Sequence, residues 1–319
     1  MNDDRSITIE MTRIFCAICA LVIALSSLLT SKTTPFPVSK KDDERRKSER
    51  MRTTKTTKSS SSFQCDRNES KRLAELFILK CSFIWILSIA VVIFFQLYES
   101  FTKWHYLWYC MSCASLYVAW PMISPISKLD ENERDFRKWY IMKANVWIGI
   151  LSFVGNYVWT HYFYNVLNAR YTFDAHRLND VPIAMYFMTH AYFMFYHCLT
   201  NMVLRKIKRD YLDDRMRFLF TSAVVMAMAY TTAFMETLTI CAFPYWEFEN
   251  RAMAYSLGSA FYGIYFIVSF PMFLLVDEDP EVDKYSMWRV IWESLGSCML
   301  VTLLLDFVRL LIGVEFKMK

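Results

Sequence analysis

Glycine is scarce in this chain, six residues in 319, and proline adds only eight. So little glycine leaves no glycine-rich phosphate cradle and few breaks inside helices. Nine cysteines are present, with CxxC spacing at Cys16/Cys19 and Cys110/Cys113. Both pairs sit inside apolar runs without companion ligands, so neither a metal site nor a disulfide framework is read from them. No segment alternates like the strands of a membrane barrel. The net charge of +5 comes without a zinc-finger, glycine-rich or stacking motif, and no nucleic-acid partner is expected.

What the chain has instead is apolar sequence in long blocks: 55% of residues are hydrophobic and 17% aromatic. A helix needs about 20 apolar residues to cross a bilayer core. Seven blocks reach that length: Leu76–Leu97, His105–Ile126, Tyr140–Leu167, Val181–Leu204, Met216–Phe243, Ala254–Val276 and Met287–Gly313. Hydrocarbon cannot satisfy open backbone groups, so the blocks are expected to be helices. The expected fold class is all-α, a polytopic membrane protein with seven core transmembrane helices.

Ahead of the blocks, Ile14–Leu29 is a sixteen-residue hydrophobic stretch, short for a span. It reads as a signal anchor, a marginal extra helix or a cleaved signal, the last being least consistent with the basic residues that follow. Residues 31–72 carry thirteen Lys or Arg and the low-complexity run Thr53–Ser62. That composition buries too little apolar surface to order itself and predicts a disordered basic tail. The expected division is therefore an N-terminal segment, 1–72, and a transmembrane domain, 73–319. With the tail in the cytosol, loops Ser127–Trp139, Arg205–Arg215 and Asp277–Ser286 lie on the same side with four, five and one basic residues, the acidic third loop adding nothing to the bias. The opposite loops, Tyr98–Trp104, Asn168–Asp180 and Pro244–Met253, carry one, two and one, which follows the positive-inside tendency. The sequon Asn68-Glu69-Ser70 would then face the cytosol unused.

Polar groups inside spans are expensive, and each is a functional candidate. Tyr186, His190, Met194, His197 and Asn201 share one helical face. Asn145, Ser152 and Asn156 form one stripe, with His161 on another; Glu236 lies between Thr232 and Thr239. Asp306 and Arg309 are spaced for an i, i+3 ion pair and read as a structural polar pair. Asn145, Asn156 and Asn201 read as interhelical hydrogen-bond partners. Lys80 and Lys143 are expected to snorkel to the surface, and Glu293 to be solvated near a helix end. Glu236, His190 and His161 remain as candidate catalytic groups, all in the lumenal half of the membrane. A carboxylic acid and a histidine at one depth among aromatic rings suit acid–base chemistry on a lipid-soluble substrate. Trp159, Tyr186, His197, Asn156 and Tyr230 are the expected substrate-binding residues, and no metal is expected. This pattern alone fits either an enzyme or a transporter.

Longer strings narrow the choice. Lys143-Ala144-Asn145-Val146-Trp147 and Phe153 through Phe163 (FVGNYVWTHYF) resemble the cycloeucalenol cycloisomerase family of cyclopropylsterol isomerases. So do Thr189-His190, Phe195-Tyr196-His197, Glu236-Thr237, Phe243 through Phe248, Tyr262 through Phe273, Asp277-Glu278, Leu300-Val301-Thr302 and Leu305-Asp306. The resemblance runs from about Asn68 to Gly313; residues 1–67 have no counterpart in the typical plant pattern, and Glu293 stands where the family usually has aspartate. It implies an isomerase of sterol biosynthesis in the endoplasmic reticulum membrane. The enzyme would open the 9β,19-cyclopropane ring of a cycloeucalenol-type sterol to the Δ8 sterol obtusifoliol. The implied reaction adds a proton at C19 and removes one at C8, with no cofactor. The implied partners are the cyclopropyl sterol and membrane lipid. The alternatives are a Δ8–Δ7-type sterol isomerase, which would share the cationic intermediate, and a non-catalytic sterol-binding or transport protein. Transport is disfavoured by the absence of an inverted repeat.

Overall fold

The computed structural model describes residues 61–123, 135–211, 213–242, 245–249, 251–279 and 283–315. The Ile14–Leu29 stretch and the tail up to residue 60 lie outside the described residues. Every hydrophobic block has become helix. The helices are α1 (Ser61–Phe94), α2 (Lys103–Ile123), α3 (Tyr140–Val154), α4 (Thr160–Leu167), α5 (Ile183–Asp210), α6 (Arg215–Ala242), α7 (Arg251–Met253), α8 (Ser259–Leu274) and α9 (Met287–Ile312). Helix α1 begins at Ser61, inside the stretch expected to be a disordered tail, so the boundary expected at 72 falls within an element.

Five helices among the described residues are long and apolar enough to cross a membrane. They are Lys71–Phe94, Tyr140–Leu167, Arg215–Leu238, Ala254–Leu274 and Met287–Ile312. The protein is thus a mostly helical, multi-pass membrane protein. Helices α2 and α5 have the length, 21 and 28 residues, but their Trp, Tyr, His and Thr residues dilute the apolar character. Helix α9 keeps an apolar outer face, with Leu303, Phe307, Leu310 and Leu311 exposed, as contact with lipid requires. Its ends are set locally. The Ser286 side chain accepts from the Arg289 N–H at the start, and Gly313, at φ +79°, closes the end by donating to the Arg309 carbonyl.

The described residues fall into two units. The smaller comprises Val203–Ala223, the turn between α5 and α6. Within it Arg217 donates to the Lys208 and Tyr211 carbonyls and pairs with Asp213. The larger holds the rest. There α3 packs against α9, α1 and α2, and α9 also packs against α8.

Two helices are interrupted by π turns. Gly155–Trp159 joins α3 to α4, and Ala254–Gly258 joins α7 to α8. Such turns insert a residue into the helical ladder and recur at functional sites. Between the helices run short strands β1 (Arg170–Tyr171), β2 (Arg177–Leu178), β3 (Val181–Pro182) and β4 (Trp246–Glu247). Strand β1 pairs antiparallel with β4, Arg170 opposite Glu247 and Tyr171 opposite Trp246, while β2 pairs with β3.

One expectation fails inside α3. Lys143 does not snorkel; it is buried and lies 2.7 Å from Asp277. Lys71 is likewise buried, 2.8 Å from Glu278, and donates to the Leu274 and Val276 carbonyls. A carboxylate supplied by the end of α8 offers each ammonium a nearer partner than water. Lys80 is exposed, as a snorkelling residue would be.

Candidate active site

A cavity of about 80 Å³ in the larger unit is lined by residues from both π turns. The first contributes Gly155 and Asn156, followed by Thr160 and Phe163; the second contributes Ala254, followed by Tyr262 and Tyr265. Helix α5 adds Thr189 and Phe193, α6 adds Glu236 and Thr237, and the β1–β4 strap adds Tyr171, Trp246 and Phe248. The wall is mainly aromatic, with polar groups on three helices.

Glu236 is buried, and its carboxyl is hydrogen-bonded by the side chains of Tyr262 and Tyr196. One phenol comes from α8 and the other from α5, so two elements fix the carboxyl's position. Asn156 donates to the Ser152 carbonyl at 2.8 Å, and its Oδ1 accepts from Thr189 at 3.5 Å. Thr160 and Thr237 turn their hydroxyls back onto their own helices, to the Gly155 and Ala233 carbonyls.

The strap covers one side of the cavity. Tyr171 and Trp246 meet edge to face with ring centroids 3.7 Å apart. The Arg170–Glu247 ion pair at 2.6 Å and the Thr172 N–H donating to the Tyr245 carbonyl hold the two segments together. Burial pushes the Tyr171 phenol well above its ordinary value, so it stays neutral and cannot act as a base near neutral pH.

The remaining expected residues fall elsewhere. His190 donates through Nε2 to Asn145 Oδ1 at 3.0 Å, because the Asn145 amide nitrogen is already committed to the Tyr117 and Ile141 carbonyls. Its neighbour Thr189, not His190, lines the cavity. His197 uses both ring nitrogens internally: Nδ1 donates to the Phe193 carbonyl and Nε2 accepts from Ser269, each at 2.8 Å. It is wedged among Trp147, Phe266, Phe270 and Phe273, which leaves it nothing to offer a ligand. His161 is 1% exposed and borders a separate polar cleft with Tyr164, Asp180 and Glu315.

Trp159 is fully buried, donates to Thr302 at 2.9 Å and packs on Tyr265. Tyr186 donates to the Leu178 carbonyl, and Tyr230 lies 43% exposed on the outer face of α6. Of the expected substrate-binding residues only Asn156 reaches the cavity that holds Glu236. Asp306 and Arg309 form the expected pair at 2.7 Å, and Glu293 is engaged by Arg289 at 2.8 Å. Asn145 and Asn201 bond across helices as expected, Asn201 to Glu75 and Tyr140.

No family model matches the sequence, and no solved structure matches it. The chain is 42% identical over 249 residues to the cycloeucalenol cycloisomerase of Arabidopsis thaliana, covering 77% of this chain and 88% of that protein. The chain belongs to the cycloeucalenol cycloisomerase family. It is accordingly an enzyme, an isomerase of sterol biosynthesis.

The sequence singled out Glu236, which lies in the cavity wall, but not the two phenols beside it. Tyr196 and Tyr262 lie within the strings that carry the family resemblance. Among so many aromatics, nothing in their spacing marks them as partners of a carboxyl on a third helix. The ion pairs of Lys71 and Lys143 were missed for a similar reason. Lys143 and Asp277 lie 134 residues apart, and only the adjacent acids Asp277-Glu278 hinted at a paired role.

Proposed function

We propose that this protein opens the 9β,19-cyclopropane ring of a cycloeucalenol-type sterol to give a Δ8 sterol, with Glu236 as the acid that protonates C19. The single observation that carries this assignment of the site is a carboxyl, fixed by two phenols, in the wall of an aromatic cavity of a membrane-embedded cycloisomerase. Phe163, Phe193, Trp246 and Tyr265 surround the cavity, and aromatic faces favour the cationic character that develops at C9. Asn156 and Thr189 add polar groups to the same wall. His190, Trp159, Tyr186 and His197 are held outside the cavity by hydrogen bonds, His161 is buried at a separate cleft, and Tyr230 lies on the outer face of α6.

The topology that accompanies this reading has seven spans, α2 and α5 included, in the endoplasmic reticulum membrane. The N-terminal segment would be cytosolic and non-catalytic. Seven hydrophobic blocks that all fold as helices support that count.

Purified protein incubated with a cyclopropyl sterol, with products resolved by mass spectrometry and NMR, tests the reaction. The expected product is the Δ8 isomer of unchanged mass. A Δ7 product, or recovery of the intact cyclopropane, would overturn the assignment.

A further inference from the structure

We infer that Glu236 is both the acid and the base of the ring opening, with Tyr196 and Tyr262 as positioning residues that hold its carboxyl between the two steps. The inference rests on the reaction proposed above and assigns its second half.

Protonation at C19 and deprotonation at C8 are usually divided between two groups. Among the described residues the cavity is lined by one carboxyl, and its other titratable lining groups are the phenols Tyr171, Tyr262 and Tyr265. Tyr192 and Tyr196, which also interact with Glu236 from α5, are phenols too. The histidines that would otherwise serve are placed away from it: His190 against Asn145, His197 closed on both nitrogens, and His161 in its own cleft. A base for C8 must therefore be the group already present.

The chemistry balances with one carboxyl. The electron pair of the C9–C19 bond takes the Glu236 proton, which makes the C19 methyl, a cation at C9 and a carboxylate. The carboxylate then takes the C8 hydrogen as a proton, the C8–H pair becomes the C8–C9 double bond, and the carboxylic acid is restored. C19 and C8 are both bonded to C9, so the two oxygens of one carboxyl can serve both positions. Two O–H donors from different helices receive the carboxylate during its brief existence, and donors aimed in advance at developing charge lower the barrier.

The pH dependence of kcat/KM for the intact enzyme on a cyclopropyl sterol decides the matter, because it reports the free enzyme's essential acid and base. One group in both roles requires only that Glu236 start protonated. The expected profile is a plateau at low pH and a single fall as pH rises. Tyr196→Phe and Tyr262→Phe should each lower kcat by roughly 10²-fold, as loss of one donor to developing charge does, with KM nearly unchanged. Glu236→Asp should keep the single-limbed shape at reduced rate, whereas Glu236→Gln should lower the rate by about 10²–10⁴-fold. A bell-shaped profile whose acidic limb disappears in His190→Gln or His161→Gln would assign the base to that histidine and overturn the inference, leaving the ring opening intact. No ring opening by the wild-type protein would overturn the reaction itself.

Discussion

Lys143 Nζ lies 2.7 Å from Asp277 Oδ2 with both side chains nearly out of reach of solvent, so a full ion pair fastens α3 to the segment that follows α8. Asp277 also accepts the Tyr285 N–H through its other oxygen, at φ +52°, a backbone geometry that asparagine tolerates. Lys143→Met strands a buried carboxylate and should cost about 3–5 kcal/mol of stability. Adding Asp277→Asn removes the stranded charge yet keeps an oxygen for Tyr285, and should recover most of the loss. Thermal unfolding of both variants in one detergent checks this; equal melting points for the single variant and wild type would refute it.

Glu236 and His197 are both buried in spans but should respond to substitution in opposite ways. Glu236→Gln keeps the shape and removes the proton, so turnover should fall 10²–10⁴-fold, the usual contribution of an acid–base group. His197→Ala breaks the bonds to Phe193 and Ser269 and empties an aromatic nest. It should reduce the yield of folded protein while sparing the rate per folded molecule. Rates normalised to the monodisperse fraction separate the two effects.

The cavity of about 80 Å³ is smaller than the roughly 300–1,000 Å³ of sites that bury ligands of sterol size. The strap is the non-helical part of its wall and is expected to move for the substrate to enter. Cysteines at the opposed positions Arg170 and Glu247, in a background without other accessible thiols, would tie β1 to β4. Oxidation should suppress turnover and reduction should restore it. Unchanged activity in fully oxidised protein would place the entrance elsewhere.

Opening of the strap between turnovers, as expected above, would let the Glu236 proton exchange with solvent before each new sterol is bound. In heavy water the product should carry one deuterium, on C19. NMR of the isolated sterol reads this directly, and an unlabelled methyl would mean that the proton never meets water.

Orientation is tested by glycosylation mapping. A sequon placed in 168–180, the loop that carries β1, should be modified, and one in 205–215 should not. The reverse pattern would invert the topology.

The helices were legible because each apolar block is long enough to demand one; α3 and α9 open at the expected Tyr140 and Met287, whereas α5 runs six residues past Leu204. Glu236 was legible because a carboxyl inside a span has few bland explanations. The histidines misled for the same reason: His190 and His197 looked costly, yet Asn145, Ser269 and a backbone carbonyl satisfy them from positions with no fixed offset in the sequence. Trp159 was expected at the substrate, but Thr160 lines the cavity while Trp159, within the π turn, donates to Thr302. The ion pairs of Lys71 and Lys143 depend on helices distant in sequence, and side-chain composition alone carries no record of them.

A π turn is the mark that a single inserted residue leaves in a helix. The two that flank this cavity, 155–159 and 254–258, give the site a signature in sequence length as well as in residue identity. A helical relative without the cavity would align to this chain with a one-residue gap at each turn. Deleting one residue from 155–159 should restore an unbroken α-helix there and remove the widened turn that brings Gly155 and Asn156 to the cavity.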